Sequence, residues 1–184
     1  MPSATTLKLR PFRAEDAEAC LALFRDCVHR VNSRDYTQAQ IDAWAPRTID
    51  LEAWRCRFDD RLAYVAVEGD RIVGFTDMTR AGHLDRLFVS ADHQGRGIAR
   101  RLVERLLSDA ADHSIDEITT EASITARPFF ERMGFSVVRE QTVECHGVQL
   151  TNYRMRRSMQ ADAKDLATES ARKVIRVASA RRKS

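Results

Sequence analysis

The chain has no C-x-x-C pair, no apolar run of membrane length and no aromatic residue after Met159. Each absence removes a class of function. The four cysteines, Cys20, Cys27, Cys56 and Cys145, are too scattered for a zinc site or a disulfide framework, so no metal is expected. Cys20 and Cys27 lie seven apart, on one face of an expected helix, and read as small core residues. No stretch approaches the roughly 20 apolar residues that span a bilayer, so no membrane partner is expected. Met1 to Arg10 lack the apolar core of a secretory signal, which makes the cytoplasm the expected location. Basic charge is also missing from most of the chain. The formal net charge is +3, yet six uncompensated positive residues lie between Arg172 and Lys183, leaving residues 1–170 at −3. An acidic body carries no nucleic-acid footprint, and a basic tail without aromatics offers bases nothing to stack on. Nucleic acid is therefore not an expected partner.

What is present is one domain. The 184 residues are 43% hydrophobic and 31% charged, an ordinary balance for a folded domain, with no repeat or linker. Leu7, Leu9 and Phe12 alternate with basic residues in a first strand. From Ala14 to Val31 apolar residues recur at helical spacing behind an acidic first turn. Thr37 caps a second helix through Ile41 and Trp44 that stops before Pro46, and Asp50 caps a short third. Leu62–Glu68 and Arg71–Thr79 form a hairpin about Gly69-Asp70, and His83–Val89 is a further strand. A helix over 97–111, a strand over 115–122, a helix over 125–133 and a hairpin about His146-Gly147 complete the order. The expected class is α/β (α+β), with about seven strands. Residues 1–157 form the domain, and 158–184 a basic extension, helical or disordered.

The most informative segment is Gln94-Gly95-Arg96-Gly97-Ile98-Ala99, directly after a strand and opening a helix. Two glycines remove the Cβ atoms that would keep a ligand from the backbone. The unpaired N–H groups of the helix's first turn converge where its dipole favours negative charge. Arg96, Arg100 and Arg101 can add charge-assisted bonds to phosphate oxygens. A diphosphate suits this arrangement; a simple strand–helix corner eased by glycine explains the same letters.

These six residues resemble the Q/R-x-x-G-x-G/A motif of the GNAT superfamily of acyl-CoA-dependent N-acetyltransferases. HLDRLFV before them is similar to that family's fourth strand. Downstream, Ser123 to Phe135 resembles its N-x-x-A-x-x-F-Y-x-x-x-G-F segment. Asp35–Pro46 and His146–Met155 resemble an uncharacterised bacterial branch. The likeness covers about residues 5–157. It implies the GNAT fold: a central mixed, mostly antiparallel sheet of about seven strands flanked by helices and splayed between strands 4 and 5. It also implies acetyl-CoA (coenzyme A) as co-substrate, a small-molecule or peptide amine as acceptor, and a possible homodimer.

Residue by residue, the resemblance places the pantetheine arm against Leu87, Phe88 and Val89, paired like an added strand. A backbone N–H near Val89 would polarise the thioester carbonyl. The pyrophosphate would rest on the amides of Gly95, Arg96, Gly97, Ile98, Ala99 and Arg100, with Gln94 opening the motif. Ser123 stands where the family usually has Asn, and its hydroxyl can still bond the arm. Phe129 and Phe130 would wall the thiol end. Phe130 replaces a frequent Tyr, which removes a proton donor for the departing thiolate.

An attacking ammonium must first lose a proton, and a carboxylate or histidine is the natural acceptor. Glu121, at the end of the fifth strand, comes first, then Asp85 and His83 on the fourth. By strict alternation His83 and Asp85 share a face with Leu87 and Val89. Trp44 and Tyr36 are candidate roofs over the acceptor. The expected activity is transfer of acetyl to a primary amine by direct attack in a ternary complex. Two alternatives remain: a non-catalytic acyl-CoA sensor, motivated by Phe130, and a member acting on charged tRNA, guided by the basic tail.

Overall fold

The computed structural model describes residues 6–160, so the basic extension beyond 160 lies outside the described residues. The elements run β1 (Leu7–Pro11), α1 (Ala17–Arg30), α2 (Gln38–Trp44), α3 (Leu51–Cys56), β2 (Arg61–Glu68), β3 (Arg71–Thr79), β4 (His83–Val89), α4 (Ile98–Asp112), β5 (Glu117–Ser123), α5 (Arg127–Arg132), β6 (Ser136–Cys145) and β7 (Val148–Ser158). One seven-stranded sheet has the order β1-β2-β3-β4-β5-β7-β6. Every neighbouring pair is antiparallel except β4 and β5.

Local chemistry sets these boundaries. Thr37 forms a capping box with Gln40 at the start of α2, and the Asp50 carboxylate accepts the Ala53 amide at the start of α3. Before α1, a turn of 3-10 helix (Ala14–Asp16) buries Asp16, whose carboxylate takes Arg10 at 2.7 Å and the Arg13 amide at 2.8 Å. The β6–β7 turn puts His146 and Gly147 at φ 48° and 77°, as a tight hairpin demands. β5 begins two residues later than its apolar pattern implies, because Ile115 closes α4 by donating its amide to the Ala110 carbonyl.

Helices cover both faces of the sheet. On one, α1, α3 and the turn after α3 bury Phe24, Trp54 and Phe58 against Phe75; on the other, Leu106 of α4 and Phe130 of α5 pack on Met78, Ile118 and Met155. Apolar burial on this scale, about 1.5–3 kcal/mol per large side chain, fixes the sheet's interior strands.

Two irregularities make the site. β4 and β5 pair only at His83–Thr119 and Leu84–Thr120, after which the strands separate. In the β3–β4 ladder, Asp77 opposes Arg86 while Met78 opposes Leu84, which leaves Asp85 as the extra residue of a bulge. The bulge overturns the alternation expected of β4. Leu84 and Leu87 both pack towards α4, whereas Arg86 and Phe88 face the aromatic side. His83 and Asp85 consequently open on the aromatic side with Phe88 and do not share the face of Leu87 and Val89.

Candidate active site

The glycine segment joins β4 to α4 as a cradle. Gly95 and Gly97 sit at φ 73° and 75°, left-handed backbone that L side chains rarely adopt, and Gly97 directly precedes the helix. A Cβ built on either glycine would meet no atom within 4 Å. The space over these amides is open, and the first turn of α4 has no side-chain cap. Gln94 fixes the loop from below: its amide nitrogen donates to the Val89 carbonyl at 2.7 Å. Arg100 lines the cavity and pairs along the helix with Glu104 at 2.7 Å. Arg96 and Arg101 do not line it. Arg96 forms an ion pair with Glu68, and Arg101 donates to the Leu7 carbonyl.

From this cradle a cavity of about 900 Å³ runs through the gap between β4 and β5. Leu87, Phe88 and Val89 form one wall; Ser123, Phe129 and Phe130 stand on the other. Ser90 donates its amide to Val73 on β3, so by alternation the Val89 N–H points away from β3 and into the gap. Cys27 of α1 lies there. Burial pushes its thiol up to about 11, and a hydrogen bond from the Val89 backbone offsets only part of that, so the thiol stays protonated. Phe130 is buried against Phe129 and Phe135 with ring centroids 5.3 and 5.1 Å away.

A second cavity, about 630 Å³, opens on the aromatic face under α2 and is walled by Tyr36, Trp44, Trp54 and Phe88. Tyr36 donates its hydroxyl to the Thr151 carbonyl at 2.7 Å and accepts the Ile124 amide at 2.9 Å, so it braces the wall. The two cavities share Trp44, Asp85, Phe88, Glu121 and Ser123. Two carboxylates therefore stand at their junction. Glu121 is exposed and accepts a bond from neutral Gln141 at 3.0 Å. Asp85 is held by Arg61 at 2.9 Å, and the same guanidinium group reaches Asp77 at 2.8 Å. His83 lines only the second cavity, with Nδ1 3.1 Å from the Thr119 hydroxyl.

Behind the junction is a network that single-residue reading of the sequence missed. Arg86 is buried over the Phe58 ring, 3.9 Å from its centroid, and bonds the fully buried Asp77 at 2.7 Å. Asn32, in the 3-10 turn after α1, also lines the larger cavity. Neither carries a local motif; both are brought in by tertiary contact. Among the described residues no group of three or more His, Cys, Asp or Glu side chains could hold a metal ion, and no helix is long and apolar enough to cross a membrane.

The chain is similar to known proteins over most of its length. "Uncharacterized N-acetyltransferase YafP" of Escherichia coli K12 is 37% identical over 151 residues, covering 82% of this chain and 95% of that protein. "Peptidyl-lysine N-acetyltransferase YjaB" of the same organism is 30% identical over 142 residues, 75% and 88% of the two chains. A crystal structure of a GCN5-related N-acetyltransferase from Rhodopseudomonas palustris superposes with a TM-score of 0.80 at 29% identity, over 86% of this chain and 99% of that one. The PaiA N-acetyltransferase of Thermoplasma acidophilum, solved in complex with coenzyme A, has the same fold (TM-score 0.68, 16% identity, 83% and 99% coverage). The family model described as "Acetyltransferase (GNAT) domain" matches residues 32–157, and the chain belongs to the GNAT acetyltransferase family.

Proposed function

We propose that the chain transfers acetyl from acetyl-CoA to a primary amine, by direct attack while both substrates are bound, within residues 1–157. The observation that carries this reading is the meeting of two cavities at a carboxylate-lined gap in the sheet. A volume of about 900 Å³ suits one extended ligand, and the glycine cradle at its end suits a diphosphate. When bound, acetyl-CoA supplies an activated acyl group. The chain's own part is to hold and polarise it. The free edge of β4 aligns an amide-bearing arm, the Val89 N–H, which meets the Cys27 thiol in the free chain, turns to the developing oxyanion, and the first turn of α4 receives the phosphates.

Glu121 is the residue assigned to take the proton of the attacking ammonium. It is exposed at the junction, and among the described residues no ion pair ties it down as Arg61 ties Asp85. Asp85 then contributes field, drawing a cation towards the gap from behind its ion pair. For the acceptor, a lysine side chain in a peptide is the first to test: YjaB bears that activity in its name, and an aromatic-walled cavity accepts an aliphatic arm. Release of free thiol from acetyl-CoA across a panel of lysine peptides and small amines is the assay. Glu121→Gln should lower kcat by about 10²–10⁴-fold while CoA affinity holds. Unchanged turnover would remove Glu121 from this role. Tight CoA binding with no thiol release on any amine would replace the whole reading with an acyl-CoA sensor.

A further inference from the structure

Ser123 occupies the place where the GNAT segment usually has Asn, and its hydroxyl is already engaged: it accepts the Ala126 amide at 3.1 Å. A carboxamide nevertheless stands beside it. Asn32, on the turn that follows α1, is only 5% exposed, lines the same cavity, and directs Nδ2 at the Ser123 hydroxyl (3.4 Å) and at the Thr125 hydroxyl (3.2 Å).

The orientation of that amide is fixed by chemistry. Thr125 donates its one hydroxyl proton to the Asp35 carboxylate at 2.7 Å, so towards Asn32 it can only accept. Asn32 must present its NH2 to Thr125, which turns Oδ1 the other way. Among the described residues no donor meets Oδ1, and Oδ1 is not among the buried atoms left without a partner. It therefore reaches accessible space, and the accessible space at Asn32 is the cavity. A polar chain Asp35–Thr125–Asn32 thus holds one carbonyl oxygen at the cavity wall, opposite the β4 edge whose amide and carbonyl groups line the other side.

We infer that Asn32 supplies, from the turn after α1, the carboxamide that Ser123 lacks on β5, with Oδ1 accepting an amide N–H of the pantetheine arm. Asp35 and Thr125 are positioning residues for it. This inference rests on the CoA reading above, and it names a binding residue far from either GNAT motif in sequence.

The test separates the arm from the nucleotide. Calorimetry on the full chain would measure CoA and, separately, the nucleotide half of CoA cut after the diphosphate. Asn32→Ala should weaken CoA roughly five- to tenfold, the worth of one neutral hydrogen bond, and leave the nucleotide half unchanged. Unchanged binding of that half also certifies that the variant is folded. Adding Ser123→Asn to Asn32→Ala, which restores a carboxamide on the neighbouring element, should recover most of the loss. Equal weakening of both ligands would show that Asn32 merely supports the fold, and no weakening of CoA would show that its carbonyl is not used; either overturns the inference. Failure of wild-type protein to bind either ligand would instead overturn the CoA reading on which it stands.

Discussion

Gly97 gives the sharpest perturbation, because two substitutions there share one backbone cost and differ in charge alone. At φ 75° and ψ 7° any side chain is strained, but Asn and Asp tolerate left-handed backbone better than other residues. Each should cost about 1 kcal/mol of stability. A Cβ at Gly97 meets nothing within 4 Å, so neither variant forces the loop to rebuild. The difference between them is then one negative charge at the mouth of a helix. At roughly 5 Å from a phosphate, with an effective dielectric near 20, it is repelled by about 3 kcal/mol, falling to about 2 kcal/mol with partial screening. Gly97→Asp should therefore bind CoA about 30- to 150-fold more weakly than Gly97→Asn. Calorimetry at low and high salt is the assay, and the gap should narrow as salt rises. Equal affinities for the Asp and Asn variants, both near wild type, would refute the claim that anionic groups sit on these amides.

Two further predictions concern the frame around the site. The Asp16 carboxyl lies below its ordinary range: burial alone would raise it, but the bonds from Arg10 and the Arg13 amide outweigh burial. A depressed carboxyl stabilises fully above its unfolded value near 4 and loses that contribution as pH falls through the folded value. Unfolding free energies of wild type and Asp16→Asn from urea titrations should accordingly differ by about 2 kcal/mol at neutral pH and converge in acid. Arg86→Ala removes one partner from a pair whose carboxylate is fully buried, which costs about 3 kcal/mol even with Arg61 still bound to Asp77. Its melting temperature should fall by roughly 6–12 °C, and a shift within 2 °C would contradict the assigned burial.

The parts of the site that were legible in the sequence are those written in consecutive residues. Gly95 and Gly97 announce the cradle because left-handed backbone demands glycine locally, and the expected hairpins about Gly69 and Gly147 formed for the same reason. The order of elements followed from periodicity, which survives any tertiary detail. What escaped depends on partners distant in the chain. The bulge at Asp85 exists only in register with β3, so alternation along β4 alone put His83 and Asp85 on the wrong face. Arg96 carries the charge expected of a phosphate ligand, yet Glu68, 28 residues earlier, holds it. Asn32 reaches Ser123 across 91 residues, and nothing near position 32 signals the encounter.

Phe130 bears on how the reaction ends. Its ring is packed between Phe129 and Phe135, and among the described residues lining the larger cavity there is no tyrosine. Tyr36, on the neighbouring cavity, has its single proton committed to Thr151. The departing sulfur thus has no phenol to meet it. An unperturbed thiol with a pKa near 8.5 lies about 1.5 units above neutral pH, so leaving as thiolate costs about 2 kcal/mol relative to the thiol. That is small beside the barrier lowered by proximity and a polarised carbonyl, which contribute several kcal/mol each. On the proposed mechanism, a missing donor should slow the chemistry without abolishing it. In the proposed reaction the decisive proton is the one removed from the amine, and on that reading the carboxylates at the junction of the two cavities matter more than the missing hydroxyl.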